Sequence, residues 1–264
     1  MIELLVTVGL AGIMLASATH YLANHVHEMR RHSLRLEAEQ ALRSSLDAIT
    51  RDLRLAGACL PTDGQFVALG GVNVPGGDAI TIRTGLVRTN MSCIVTSLAG
   101  AVAAGADTLA VGSSNGFTSD MLGYVRHPNG SGEIKPIAAA GGNLVTFAAA
   151  MSQDYPVGSG VYAIDERTYT LDKSDPSRPL LTLVVNRGAP EAFAVGADDL
   201  QVHYILDRNC PTCDEVDLPV DTAEWRLVNS VLLTAQVRTV GGTGPHDDAT
   251  LVASSMGKPR NLLP

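Results

Sequence analysis

The first 57 residues constrain the fold more than any other part of this chain. Residues 1–18 read MIELLVTVGLAGIMLASA, a mostly apolar stretch with one charged residue, Glu3. Residues 20–56 continue without proline, and Gly57 suits the left-handed position that follows the end of a helix. The sequence therefore predicts a single long N-terminal helix over residues 1–57.

The two parts of this helix are predicted to lie in different surroundings. Residues 1–24 match the length of about 20 residues that crosses a bilayer, and they carry one formal charge. Further along, apolar residues recur at spacings of three and four, which is typical of a helix packed on a folded domain. This buried stripe is predicted to contain Leu42, Leu46, Ile49, Leu53 and Ala56. We therefore expect a transmembrane part followed by an amphipathic part.

Beyond the helix, the pattern changes to short apolar segments separated by turn signals, such as the Pro-Gly-Gly at residues 75–77. Five evenly spaced strands predict a small β-barrel or sandwich inserted at residues 99–160, with one continuous larger sheet as the alternative. Residues 58–98 and 161–264 would form an antiparallel sheet domain that packs on the helix. The predicted fold class is therefore α+β.

The start of the chain, IELLVTVGLAGIML at residues 2–15, resembles the N-terminal helix of mature type IV pilins and pseudopilins. Three other stretches resemble PilW-like minor pilins more specifically: residues 51–57, residues 225–233 and the Arg-Asn pair at residues 260–261. In this superfamily the helix follows a short leader that prepilin peptidase removes. The resemblance therefore implies a leader ahead of Met1, and we expect the sequence to be trimmed or to start late.

The resemblance implies a structural role in a filament, without catalysis and without a cofactor. A PilW-like minor pilin would lie in the inner membrane and periplasm before assembly, and in the extracellular pilus afterwards, at its tip. Its expected partners are other minor pilins, the major pilin and a tip adhesin, in a fibre that serves adhesion and motility. A pseudopilin of a type II secretion system is the alternative within the same superfamily.

The resemblance also assigns roles to residues near the start of the helix. The acidic residue would neutralise the charged amino terminus of a neighbouring subunit during assembly, and the apolar residues around it would supply the contact area. The expected assembly residues are Glu3, Leu4, Leu5, Val8 and Leu10.

The chain contains four cysteines, an even number that predicts two disulfide bonds on the export side of a membrane. Of the three possible connectivities we favour Cys59–Cys93, which would tie the helix end to the early sheet, together with Cys210–Cys213. The second pair also has the spacing of a thioredoxin-like redox motif, but an acidic stretch follows it instead of a helix start. A membrane-anchored periplasmic redox or binding protein that uses Cys210 and Cys213 is therefore the alternative from a different class.

Charge and motifs argue against several other functions. The net charge is −8, and no basic patch interleaved with aromatic residues is present, so nucleic acid is not an expected partner. The sequence contains no phosphate-binding loop and no nucleophile elbow, so we do not expect an enzyme. Oxygen ligands in the acidic loop could bind calcium, although their spacing does not match an EF-hand and a solvated loop is the alternative. These candidates are Asp207, Asp214, Asp217 and Asp221.

Overall fold

The computed structural model describes residues 2–176, 179–208, 213–239 and 249–259, and for residues 2–8 it describes the helical backbone. The helices are α1 (Ile2–Leu55) and α2 (Thr222–Arg226). The strands are β1 (Leu69–Val72), β2 (Ala79–Gly85), β3 (Val95–Ser97), β4 (Thr108–Ala110), β5 (Leu122–Arg126), β6 (Gly132–Gly141), β7 (Leu144–Phe147), β8 (Gly160–Asp172), β9 (Leu180–Val185), β10 (Glu191–Val195), β11 (Ala197–Leu206), β12 (Asp214–Val216), β13 (Val228–Thr239) and β14 (Ala249–Gly257). An N-terminal helix followed by antiparallel strands is the α+β arrangement that the sequence predicts.

The strands form two antiparallel sheets. The larger sheet has the order β1-β2-β8-β5-β6-β7-β4, and β3 and β9 also pair with β8 while β10 pairs with β9. The smaller sheet has the order β12-β11-β13-β14. The chain passes from β10 to β11 through Gly196, whose φ of 83° lies in the left-handed region that favours glycine. Strand β8 is therefore the common element of the larger sheet, because four other strands pair with it directly.

The second part of α1 packs against both sheets, chiefly against β13 and β14. The predicted apolar stripe is confirmed, since each of its five side chains is at most 4% exposed. The approach of helix to strand is close at Gly257 of β14, where a Cβ would lie 2.7 Å from Cδ1 of Leu53. The helix ends at Leu55, and Gly57 has a φ of 76°, as predicted for the residue after a helix end.

The first part of α1 is not covered by the sheets. From residue 9 to residue 37, every side chain that the structure describes is exposed. Over the described residues, no helix combines the length and the apolar character that crossing a membrane requires. The predicted transmembrane part therefore stays a prediction from residues 1–24 of the sequence.

Most buried apolar residues of the range 99–160 belong to a second hydrophobic core, which is distinct from the core beneath α1 and also includes residues just outside this range. Its fully buried members include Leu109, Val125 and Val145. However, β5 of this region pairs along its whole length with β8, which also pairs with β2, whose buried side chains belong to the core beneath α1. Backbone hydrogen bonds thus run continuously between the two regions, and the domain limits at residues 99 and 160 stay predictions.

A disulfide bond joins Cys59 to Cys93, with the two Cα atoms 5.5 Å apart, so the favoured pairing is present. It connects the segment that follows α1 with the segment that leads into β3. Gly85 makes room for it, because a Cβ at that position would lie 2.7 Å from the Cβ of Cys59. Cys213 is also disulfide-bonded, whereas Cys210 lies outside the described residues, so the second pairing stays a prediction.

Replacing Cys59 and Cys93 together by serine should lower the free energy of unfolding by about 2–4 kcal/mol, because the bond closes a long loop in the unfolded chain. The two residues are 34 positions apart. Urea unfolding of the full chain measures the effect. The matched control replaces Cys210 and Cys213, whose predicted loop is very short and whose removal should cost less. Unfolding at the wild-type urea concentration would contradict a stabilising role for the Cys59–Cys93 bond.

Candidate functional site

The candidate site is the exposed helix segment, which we define as residues 9–37 of α1. Large apolar side chains on it have exposed fractions between 48% and 74%; they are Leu10, Ile13, Met14, Leu15, Tyr21, Leu22, Val26, Met29 and Leu36. Six of these nine side chains lie between residues 10 and 22, and a large exposed apolar surface typically marks an interaction site. The segment therefore has the properties of an interaction site that packs against another apolar surface.

Two hydroxyl groups in this segment form hydrogen bonds within the helix itself. Ser17 Oγ donates a hydrogen bond to the carbonyl of Ile13 at 2.8 Å, and Thr19 Oγ1 donates to the carbonyl of Leu15 at 3.0 Å. Back-bonding of this kind removes the need for water or an external acceptor. The outer surface of the segment can thus enter an apolar environment without leaving these donors unpaired.

Polar side chains appear on the helix at the end of the apolar run. Asn24 Nδ2 lies 3.3 Å from His20 Nε2, and the ring of Tyr21 lies 5.9 Å from that of His25. Tyrosine and histidine combine an apolar body with a polar tip and so suit a boundary between apolar and aqueous surroundings. This change in character falls where the sequence predicts the end of the membrane part, at residue 24.

The predicted assembly residues lie at the start of the same helix. Leu10 is 58% exposed. The backbone of Glu3, Leu4, Leu5 and Val8 belongs to α1, but their side chains lie outside the described residues. Their roles in assembly therefore stay predictions.

The second part of α1 is bonded to the larger sheet by a buried carboxylate that the sequence analysis missed. Arg167 Nη1 donates to Asp52 Oδ1 at 3.1 Å and to Oδ2 at 3.0 Å, and the Tyr169 hydroxyl donates to Oδ2 at 2.6 Å. The Asp52 side chain is 9% exposed, whereas that of Arg167 is 39% exposed. Burial raises the pKa of Tyr169, and the bond to Asp52 raises it further, so the phenol remains a donor at neutral pH.

The geometry of this cluster follows from helical and strand periodicity. Arg167 and Tyr169 are alternate residues of β8, paired with Ile82 and Ile80 on β2, so their side chains share one face of the sheet. Asp52 lies three residues after the buried Ile49, which places it near the apolar stripe of α1. A carboxylate next to the buried stripe could have indicated a buried ion pair. Its partners could not be identified, because they lie far away in the sequence.

The predicted calcium ligands interact with different partners. Asp214 accepts a hydrogen bond from an arginine at 2.8 Å, Asp217 lies 3.1 Å from a histidine nitrogen, and Asp221 caps α2 by accepting from a backbone N–H at 2.9 Å. The side chain of Asp207 is exposed. Within the described ranges, no group of three or more histidine, cysteine or acidic side chains is placed to hold a metal ion.

No protein-family model matches this sequence, and no curated protein matches it. Among solved structures, the chain is similar to a type IV-like pilin from Thermus thermophilus, with 9% identical residues and a TM-score of 0.44. The matched region covers 86% of this chain and 97% of that chain. Similarity at this level does not assign a function.

We expect Asp52→Asn to lower the free energy of unfolding by about 1–3 kcal/mol, since it removes the charge from a buried acceptor of charged hydrogen bonds. The partial exposure of Arg167 keeps the loss below that of a fully buried ion pair. Asp47→Asn is the matched control, because Asp47 lies on the same helix and is exposed. Urea unfolding of both variants tests the difference. Equal stabilities would show that Asp52 does not hold the helix on the sheets.

Proposed function

We propose that this chain is a structural subunit of a type IV pilin-like filament, in which the exposed helix segment packs among the helices of neighbouring subunits. The observation that carries the proposal is the division of α1 into two parts. Residues 38–56 bury their apolar stripe on the sheets, whereas residues 9–37 expose theirs. A helix that packed only on its own domain would not require large apolar side chains in the part that the domain leaves exposed.

The sequence resemblance supports a more specific proposal, that the chain is a PilW-like minor pilin at the filament tip. Before assembly residues 1–24 would lie in the inner membrane with the sheets in the periplasm, and after assembly the chain would be part of the extracellular pilus. The single formal charge in residues 1–24 supports the membrane stage. The disulfide bond between Cys59 and Cys93 supports folding in an oxidising compartment.

The proposed work of the protein is packing, without bond chemistry and without a cofactor. Its proposed partners are other minor pilins, the major pilin and a tip adhesin. A pseudopilin of a type II secretion system would use the same helix in the same way. The partners captured by crosslinking would distinguish these two roles.

Glu3 is proposed to control the register of assembly. A lone carboxylate in hydrocarbon is unfavourable by about 2.5–3.5 kcal/mol at the centre of a bilayer. A neighbouring amino terminus would remove much of that cost, but only when the two subunits are correctly aligned. Charge would then select the alignment, while the apolar side chains supply the contact area.

Glu3→Ala and Glu3→Gln should both insert into membranes but be largely excluded from filaments, because each removes the charge that pairs with the neighbouring subunit. Crosslinking to partner pilins in cells that assemble filaments measures incorporation, and membrane fractionation measures insertion. Asp47→Asn is the matched control, because Asp47 is an exposed acidic residue of the same helix that lies outside the exposed helix segment. Normal incorporation of both Glu3 variants would show that this charge has no part in assembly.

The same leucine-to-alanine change at two positions of α1 should separate assembly from folding. Leu15 is 70% exposed, so Leu15→Ala should change the free energy of unfolding by less than about 0.5 kcal/mol while weakening incorporation. Leu46 is 3% exposed, so Leu46→Ala should lower the free energy of unfolding by about 2–5 kcal/mol. Urea unfolding and crosslinking are measured on both variants. Unchanged incorporation of Leu15→Ala, alone and combined with Leu22→Ala, would contradict the proposed interface.

A further inference from the structure

An open cleft of about 620 Å³ lies on the larger sheet, away from the exposed helix segment. We call it the arginine cleft, and its lining includes Phe66, Arg83, Tyr124, Gly132, Ile134 and Arg187. None of these residues belongs to the proposed assembly interface. The cleft combines guanidinium groups, a tyrosine hydroxyl and apolar side chains, which are the components of a site for an anion with an organic body.

The two arginines of the cleft share one buried carboxylate. Glu166, whose side chain is 7% exposed, accepts from Arg83 Nε at 2.6 Å and from Arg187 Nε at 3.0 Å. Burial alone would raise the pKa of Glu166, but the two guanidinium groups outweigh it and lower the pKa, so the carboxylate stays ionised. In the described part of the chain, no hydrogen bond uses the Nη2 atom of either arginine. The three side chains thus keep one net positive charge and free donors.

The hydroxyl group of Tyr124 is a second unused donor. Tyr124 is 2% exposed, and its hydroxyl has no hydrogen-bond partner among the described residues. The hydroxyl lies against Gly132, where a Cβ would come within 2.6 Å of it, so glycine leaves room for it at the wall of the cleft. Burial raises the pKa of Tyr124, which keeps the donor protonated. A buried donor without an acceptor is unfavourable, and a bound oxyanion would satisfy it.

The backbone conformation of Arg187 is unfavourable for a residue other than glycine. Asn186 and Arg187 occupy the turn after β9 with φ values of 50° and 62°. Glycine is the usual second residue of a turn with two positive φ angles, because a side chain is disfavoured there. The chain instead places a guanidinium group at this position, over Glu166. Strain of this kind concentrates at binding and catalytic sites.

Charge around the cleft is locally positive, although the whole chain carries −8. Arg126 and Arg226 interact electrostatically with Tyr124, as does Asp63. Together with the three charges at Glu166, these residues leave a local excess of two positive charges. An anion would therefore be attracted to this part of an otherwise acidic surface.

We infer that the arginine cleft binds a small molecule that carries a carboxylate or phosphate group. The oxygen atoms of the ligand accept hydrogen bonds from Arg83, Arg187 and Tyr124. The remainder of the ligand lies over Phe66 and Ile134. This activity is separate from filament assembly and does not depend on it.

The test is calorimetric titration of the purified full chain in an uncharged detergent. Sodium phosphate and sodium glucuronate are the two probes, and sodium chloride at equal ionic strength is the reference. We expect saturable one-site binding of at least one probe, and the stronger probe identifies the preferred group. Arg187→Gln should weaken it by about tenfold or more, because it removes a charged donor. Arg208→Gln, which changes a partly exposed arginine paired with two carboxylates elsewhere, should leave binding unchanged.

Tyr124→Phe separates binding from structure. It removes a hydroxyl that has no partner in the described part of the chain, so thermal stability without ligand should stay the same or rise. Affinity for the probe should nevertheless fall several-fold, which a purely structural tyrosine would not cause. If Arg187→Gln disturbs folding by leaving Glu166 with one arginine fewer, Tyr124→Phe still tests the proposed binding. Absence of saturable binding of both probes, or wild-type affinity of Tyr124→Phe, would overturn the inference, whereas loss of assembly in Leu15→Ala would leave it intact.

Discussion

The contact between the second part of α1 and the two sheets is the interaction on which the rest of the structure depends. Leu42, Leu46, Ile49 and Leu53 are almost fully buried there, and burying such a side chain contributes about 1.5–3 kcal/mol. Burial is not directional, whereas the hydrogen bonds of Asp52 form in one register of helix against sheet. The combination fixes the second part of α1 on the sheets, whereas the side chains that the structure describes in residues 9–37 remain exposed.

The features that were predictable from the sequence are those with local signals. The stripe of α1 follows from a spacing of three and four, and the helix end follows from Gly57. The partners of Asp52 could not be predicted, because Arg167 lies 115 residues away and reaches the helix through the pairing of β8 with β2. The arginine cleft was missed for the same reason. Pairing of distant strands leaves no periodic signal in either strand.

Strand β8 contributes residues to both hydrophobic cores, so the strands that pair with it form one larger sheet and not two. Near its start it pairs with β3 and β5, and near its end it pairs with β2 and β9. The arginine cleft lies along this junction, since Glu166 belongs to β8 while Tyr124 and Ile134 belong to β5 and β6. Its geometry is therefore set by strand register and not by the exposed helix segment. Binding there and packing through α1 can change independently of each other.

The position of the Cys59–Cys93 bond has a mechanical consequence. The backbone leaves α1 at Leu55, four residues before Cys59. The covalent bond passes the load directly from Cys59 to the segment before β3, which pairs with β8. The chain between the two cysteines, including β1 and β2, lies within a closed covalent loop, so tension along the backbone can bypass it. In a fibre under traction, backbone tension would therefore enter the larger sheet beside β3 and not through β1 and β2.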